Sequence, residues 1–423
     1  MRDLVEPKRV ASSIGVVVMM MVACSCSSSS SASPTRSHRS ALRSVSVAST
    51  TSTTSTTTTT PSGTPTTIPA PVVPAPGWSA PLTTLPPGGG FSSLSCLSDT
   101  FCVASGGGTD GGGTATTTGS GVTQSWDGAA WSDPSVYFPA PAAGPVAAPV
   151  LPVVVCTSGP LCVIVDGSDH VSTGDGTTWS TPAPLGPAPA LPTNPSDPGT
   201  GHPGSRTAAV SCPTPFLCAV VDNTGHTFTM QNGRWLPAQA FGGPQALAPS
   251  AGTVSLYQSG RVGVSCPTTT SCTAVVGSSV LDWNGDTWSE EAAPWTASLA
   301  PGAAVPVAIS CPTTSLCAVV NGDDIVVRGA DHTWTSRQTL DPGRQLDAVS
   351  CPSASFCVAV DDSGAVMVWN GKTWSGPTRV IPAATEYPGV GLSVSCPSAQ
   401  FCMVMNADGD YATYTGPGQY TAP

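Results

Sequence analysis

Fourteen cysteines fall into seven pairs with five residues between the members of each: Cys96/Cys102, Cys156/Cys162, Cys212/Cys218, Cys266/Cys272, Cys311/Cys317, Cys351/Cys357 and Cys396/Cys402. Thiols held at one fixed interval can close a disulfide or hold a metal. Zinc ligands usually sit two to four residues apart, and no histidine recurs beside these pairs. The interval therefore predicts seven local disulfides, each worth about 2–2.5 kcal/mol through the chain entropy that a short closed loop removes. Such bridges need an oxidising compartment. Sixteen cysteines beside two lysines, in a chain of 423 residues, suit an exported protein.

Few other residues are placed for catalysis. Beyond residue 89 the only glutamates are Glu290, Glu291 and Glu386, and Glu386-Tyr387 is the best pair for a hydrolase. His170, His202, His226 and His332 have no serine or cysteine partner at a nucleophilic spacing, and neither a Gly-x-Ser-x-Gly elbow nor a phosphate loop occurs. Asp166, Asp222, Asn321, Asp361 and Asn406 stand at one equivalent place in five copies. There an Asx side chain either sets a turn or joins a carboxylate ring able to hold Ca²⁺. Asn406-Ala407-Asp408-Gly409-Asp410 comes nearest to a calcium loop but lacks the downstream glutamate. No cofactor is expected, with calcium as the alternative.

The elements that carry these residues repeat. First cysteines lie 60, 56, 54, 45, 40 and 45 residues apart, the length of a four-stranded propeller blade expanded by insertions. In residues 348–377, Ala348-Val349-Ser350-Cys351 reads as a first strand and Cys357-Val358-Ala359-Val360 as a second. Residues 365–369 read as a third strand, and Asn370-Gly371 as a tight hairpin leading to a short fourth. Every connection is too short for a crossover helix, so the unit is an antiparallel meander. Seven such sheets bury their faces by stacking radially. The expected fold is all-β: a seven-bladed β-propeller of four-stranded antiparallel blades, one disulfide per blade. Gly and Pro, 45 and 44 residues, disfavour long helices. Trp131, Trp179, Trp235, Trp288, Trp334 and Trp374 recur once per copy, with Tyr420 in the seventh, and are read as packing between blades.

The units resemble the Ser-Cys-Pro-Ser…Phe-Cys-Val-Ala-Val…Trp-Asn-Gly…Trp-Ser repeats of secreted actinobacterial proteins predicted to be β-propellers. A more distant similarity is to Asp-box propellers, including sialidases: Trp283-Asn284-Gly285-Asp286-Thr287-Trp288 keeps Gly-x-Thr-Trp but lacks the aspartate two before glycine. That similarity implies a glycoside hydrolase as the alternative to a binding module.

Residues 1–23 read as a signal peptide, with Arg2, Lys8 and Arg9 ahead of an apolar stretch over residues 10–23. That stretch reaches only about 21 Å as a helix, short of the ~30 Å hydrocarbon core. Met21-Val22-Ala23-Cys24 resembles a bacterial lipobox, which implies a diacylglyceryl group on Cys24. Residues 24–88, rich in Ser, Thr and Pro, read as a lipidated, disordered tether, and 89–423 as the propeller. Two closures of the ring compete. Residues 411–423 align with the third and fourth strands of copy six, which favours local completion, yet Trp78-Ser79-Ala80-Pro81 matches Trp179-Ser180-Thr181-Pro182.

From residue 89 onward there are 23 acidic and 8 basic residues, a net of −15, which argues against nucleic acid or another polyanion as partner. By strand parity, the disulfide turns and Asn-Gly turns lie on one face of the disc. The long segments 105–121, 132–152, 180–208, 237–260 and 289–305 all emerge on the other, where ligands of rigid scaffolds usually bind. The expectation is a monomeric, non-catalytic binding module on the outer face of the membrane or in the cell wall. Its ligand is an extracellular protein or a glycan, and Phe241, Tyr257, Trp295, Glu386 and Tyr387 are the candidate contacts. Replacing Cys24 by alanine is expected to move the protein from the membrane fraction to the medium; unchanged membrane fractionation would remove the lipid anchor.

Overall fold

The computed structural model describes residues 76–84, 89–108, 121–138, 152–159, 161–166, 169–186, 208–222, 226–241, 262–276, 279–293, 306–385 and 391–416. Within them every regular element is a strand. The strands form seven antiparallel sheets of four, with one additional two-residue strand, Gln239–Ala240, on the third. Blades 1–7 are numbered here by the order of their cysteine pairs.

All seven pairs are disulfides: Cys96–Cys102, Cys156–Cys162, Cys212–Cys218, Cys266–Cys272, Cys311–Cys317, Cys351–Cys357 and Cys396–Cys402, with Cα atoms 3.9–4.1 Å apart. The bridges are buried beneath their turns. Cys102, Cys162, Cys218, Cys272 and Cys402 are only 0–1% exposed, too little for contact with a ligand or a soluble reductant. Each of these five second cysteines starts the most enclosed strand of its blade and packs within an interblade apolar cluster. Sulfur there counts as core, as a buried half-cystine behaves like a small apolar side chain. The pairing follows the spacing; the five residues are structural groups and not members of a functional surface.

Blade 6 shows the plan. Leu346–Ser353 pairs with Phe356–Asp361, which pairs with Ala365–Trp369, and the outermost strand is Thr378–Arg379. The second strand is Phe-Cys-Val-Ala-Val-Asp, buried from Cys357 onward. A strand covered on both faces by neighbouring blades has no solvent face, so it reads as a continuous apolar run. The apolar residues form seven clusters, each joining two adjacent blades. The core of this protein lies between its blades.

First strands of neighbouring blades contact one another around the full circle. Each has only one strand neighbour within its own sheet, so its other edge needs acceptors from elsewhere. The serine before each first cysteine supplies one. Its Oγ accepts the amide of the first cysteine in the next blade: Cys156 N–H to Ser95, Cys266 to Ser211, Cys311 to Ser265, Cys351 to Ser310, Cys396 to Ser350 and Cys96 to Ser395, at 2.9–3.0 Å. Between blades 2 and 3 the position is Val155, which has no hydroxyl to offer.

Ring closure corrects the expectation of local completion. The fourth strand of blade 7 is Leu82–Thr83, from the N-terminal side, in register Leu82↔Tyr411 and Thr83↔Asp410. Trp78 bridges Tyr414 just as Trp374 bridges Trp369. The ring centroids are 5.3 Å apart in the first pair and 5.8 Å in the second. Trp78 is 2% exposed and belongs to the cluster between blades 6 and 7. The propeller therefore takes in residues N-terminal to 89, and Tyr420 lies outside the described residues. The hairpin chemistry is corrected as well. Asn232 and Gly233 are both left-handed (φ 52° and 75°), but in the Asn370-Gly371 turn only Gly371 is (φ 88°). Asn370 instead accepts the amides of Lys372 and Thr373 on its side-chain oxygen. Trp78→Ala is expected to lower the unfolding free energy by about 3–5 kcal/mol, the usual cost of emptying a buried tryptophan site. Tyr420→Ala should leave it nearly unchanged in the same denaturant titration, and a reversed order would restore local completion.

Candidate functional site

Four of the five recurring Asx residues hold turns. At the ends of second strands, Asp166 accepts the amide of His170, Asp222 that of His226 and Asn406 that of Asp410, at 2.8–2.9 Å. Asp361 accepts the amides of Ser363 and Ala365. At the third hairpins, Asp127, Asp175 and Asn284 take amides two and three residues on. The Asp-box-like pattern is thus a turn device in this chain. Those amides hold Asp127 below the ordinary carboxylate range, and Asp175 well below it. The acidic loop of blade 7 is similarly engaged: Asp408 accepts from Thr385, Asp410 from Thr83, and the Asn406 amide donates to Pro382 O and Asp410.

The recurring tryptophans pack. Trp179 Nε1 donates to Thr123 of the preceding blade and Trp288 Nε1 to Thr229, both at 3.0 Å. Of the five candidate ligand contacts, Phe241 is half-buried and packs against the core between blades 3 and 4. Tyr257, Trp295, Glu386 and Tyr387 lie outside the described residues, as does Cys24.

A cleft of about 290 Å³ opens between blades 4 and 5, on the face of the disulfide and hairpin turns. Thr270 and Ser271 line it from one disulfide turn, Thr314 and Ser315 from the next, and Asn284 and His332 from the third hairpins. Its charged centre is Arg328 on the third strand of blade 5, which is 5% exposed. The guanidinium makes a two-pronged pair with Asp282 of blade 4, both contacts 2.7 Å, and a third contact to Glu291 at 3.1 Å. It also lies over the Trp334 ring, 5.6 Å from the centroid. Burial opposes its charge, but the Asp282 hydrogen bond and the charges of Asp282 and Glu291 outweigh that and raise its pKa above the ordinary arginine value. Its Nε is buried without an acceptor.

Arg328 stands opposite Cys317 where Trp126, Trp283 and Trp369 stand opposite the corresponding cysteines. A basic residue at an aromatic register position is a visible signal. It is hidden because the blade 5 hairpin puts Trp334 six residues on, not the usual five.

On the opposite face, the Asp341 carboxyl lies near that of Asp361, a fully buried residue whose Oδ1 is taken by the Ser363 and Ala365 amides. The Asp361 carboxyl, together with burial, pushes the Asp341 pKa up to about 6, against the pull of Arg344. Glycoside hydrolases hold their carboxyls about 5–9.5 Å apart to admit a sugar and water. Asp361 is fully buried with one oxygen already committed to a turn, so this pair does not fit that requirement. The fold favours the protonated form of Asp341, so its contribution to stability is complete below about pH 4 and is lost as pH rises through about 6. The thermal midpoint should fall between about pH 4 and about pH 6, and Asp341→Asn should flatten that fall. A parallel fall in the variant would assign the dependence to other groups.

No protein-family model and no curated protein matches the chain. Solved structures do match. One described as YCF48 bound to D1 peptide is 12% identical with a TM-score of 0.50, covering 82% of this chain and 99% of its own. Virginiamycin B lyase from Staphylococcus aureus is 8% identical with a TM-score of 0.54, covering 79% and 98%. The WD40 repeats of RRP9 are 10% identical with a TM-score of 0.54, covering 81% and 98%. What the chain has in common with these proteins is the fold, a radial propeller of antiparallel sheets.

Proposed function

We propose that the protein is an extracytoplasmic, membrane-tethered binding module for a protein ligand, without catalysis of its own. The observation that carries this reading is the asymmetry of the disc. On one face every connection is a short, hydrogen-bonded turn. The long connections, from 108 to 121, 138 to 153, 186 to 208, 241 to 262 and 293 to 306, all join second to third strands or one blade to the next. The strands that flank them therefore all end at the other face. A rigid disulfide-stapled scaffold with its variable segments on one side suits recognition. The seven disulfides favour an oxidising compartment, and a propeller of similar fold is described with a bound peptide. The described carboxylates and amides that recur from blade to blade hold turns, which favours binding over hydrolysis.

The reading is tested by crosslinking the exported full-length protein to its neighbours on intact cells. The test is repeated with residues 187–204 replaced by a short Gly-Ser link, which spares the buried Leu185. The partner captured by the parent is expected to be lost or reduced at least about tenfold, a change of roughly 1.4 kcal/mol. Undiminished capture would move the site off this face.

A further inference from the structure

The cleft between blades 4 and 5 lies on the side of the disc away from the long connections. We propose that it is a binding site for a single neutral, hydroxyl-bearing sugar residue. This inference is independent of the protein ligand proposed for the other face.

The lining sets the ligand chemistry. Thr270, Ser271, Ser289, Thr314 and Ser315 bring hydroxyls, and Asn284 brings an amide. Each of these groups both donates and accepts hydrogen bonds, as the hydroxyls of a sugar do. The apolar contribution is confined to Leu316 and Trp283, with the Cys317 disulfide. The volume suits one small ring; drug-sized pockets begin at about that size.

The charged centre sets the ligand charge. Asp282 and Glu291 together outnumber the Arg328 guanidinium by one negative charge. The two terminal nitrogens of Arg328 are held by those carboxylates. The arginine therefore cannot clamp a carboxylate of an acidic sugar, as a sialidase-like site would need. The Nε of Arg328 is enclosed by the protein and out of a ligand's reach, so a ligand in the cleft meets the hydroxyls and the amide around the ion pair. Asp282 is fixed from its own blade by Thr273 Oγ1 at 2.8 Å, so the Arg328 fork is rigid before any ligand arrives.

The test uses the full exported chain with methyl β-galactoside, methyl α-mannoside and N-acetylglucosamine as probes. Glucuronate is the charged control and blocked tetra-alanine the peptide control, each read by ligand-observed NMR titration. At least one neutral sugar is expected to bind saturably, with glucuronate and tetra-alanine at least about tenfold weaker. Ser289 is exposed and lines the cleft, so Ser289→Phe should abolish binding while leaving the thermal midpoint unchanged. Absence of saturable sugar binding, glucuronate binding as tight as the neutral sugars, or binding indifferent to Ser289→Phe each overturns the proposal. Binding of tetra-alanine alone, sensitive to Ser289→Phe, would reassign the cleft to peptide and overturns it equally.

Discussion

The hydrogen bond from a cysteine amide to the serine of the preceding blade is the interaction on which the ring depends. Stacking sheets around an axis leaves the inner edge of every first strand without a strand partner. The Ser-Cys dipeptide solves this with two adjacent residues: the serine accepts from one neighbour while the cysteine amide donates to the other. Every blade except 2 and 3, which lack the bond between them, is thereby locked to both neighbours in one register. The disulfide then ties that same cysteine to the second strand, so the locked strand cannot slide within its own sheet. A fixed register brings apolar faces into alignment, which is why the cores are seven interblade clusters of similar composition.

Departures from this scheme carry information. At Val155 the hydroxyl is missing and the interface between blades 2 and 3 rests on apolar packing around Val163, Val220 and Phe228. At Arg328 an aromatic is replaced by a cation, and the neighbouring blade answers with two carboxylates. Buried ion pairs of this kind contribute little net stability compared with packed apolar groups. Their presence at one interface, where three other blades use tryptophan, sets that interface apart from a purely structural joint.

How much was legible in the sequence follows from the range of each interaction. The cysteine interval, the Asx turns and the meander are local, and local spacing shows them directly. The depth of the bridges is not local: Cys102 and Cys402 are sealed by the blades on either side, which no single repeat reveals. The serine of the Ser-Cys dipeptide was visible as a repeated residue, but its acceptor role exists only between blades some 41–61 residues apart. Arg328 was visible as one of eight scattered basic residues, yet its partner Asp282 comes from a different repeat. Trp78 matched the fourth-strand pattern, and so did the C-terminal segment. Nothing local could choose between two strands competing for one edge. The choice went to the segment that places tryptophan, the recurrent residue, against Tyr414.

The closing strand also fixes an order of events during synthesis. Thr83 meets Asp410 across 327 residues, so the first strand of the propeller to emerge is the last to be paired. Contacts of such separation form slowly, because the whole intervening loop must be closed first. Each disulfide, by contrast, spans a sequence separation of 6 and can form as soon as its own hairpin exists. An unfinished chain is therefore a string of stapled hairpins with an unpaired edge at blade 7. Until residue 414 is in place that edge is open to any extended segment nearby, including the same strand of another copy. The disulfides hold the local sheets in register through that interval, a kinetic service distinct from the stability they add to the finished ring.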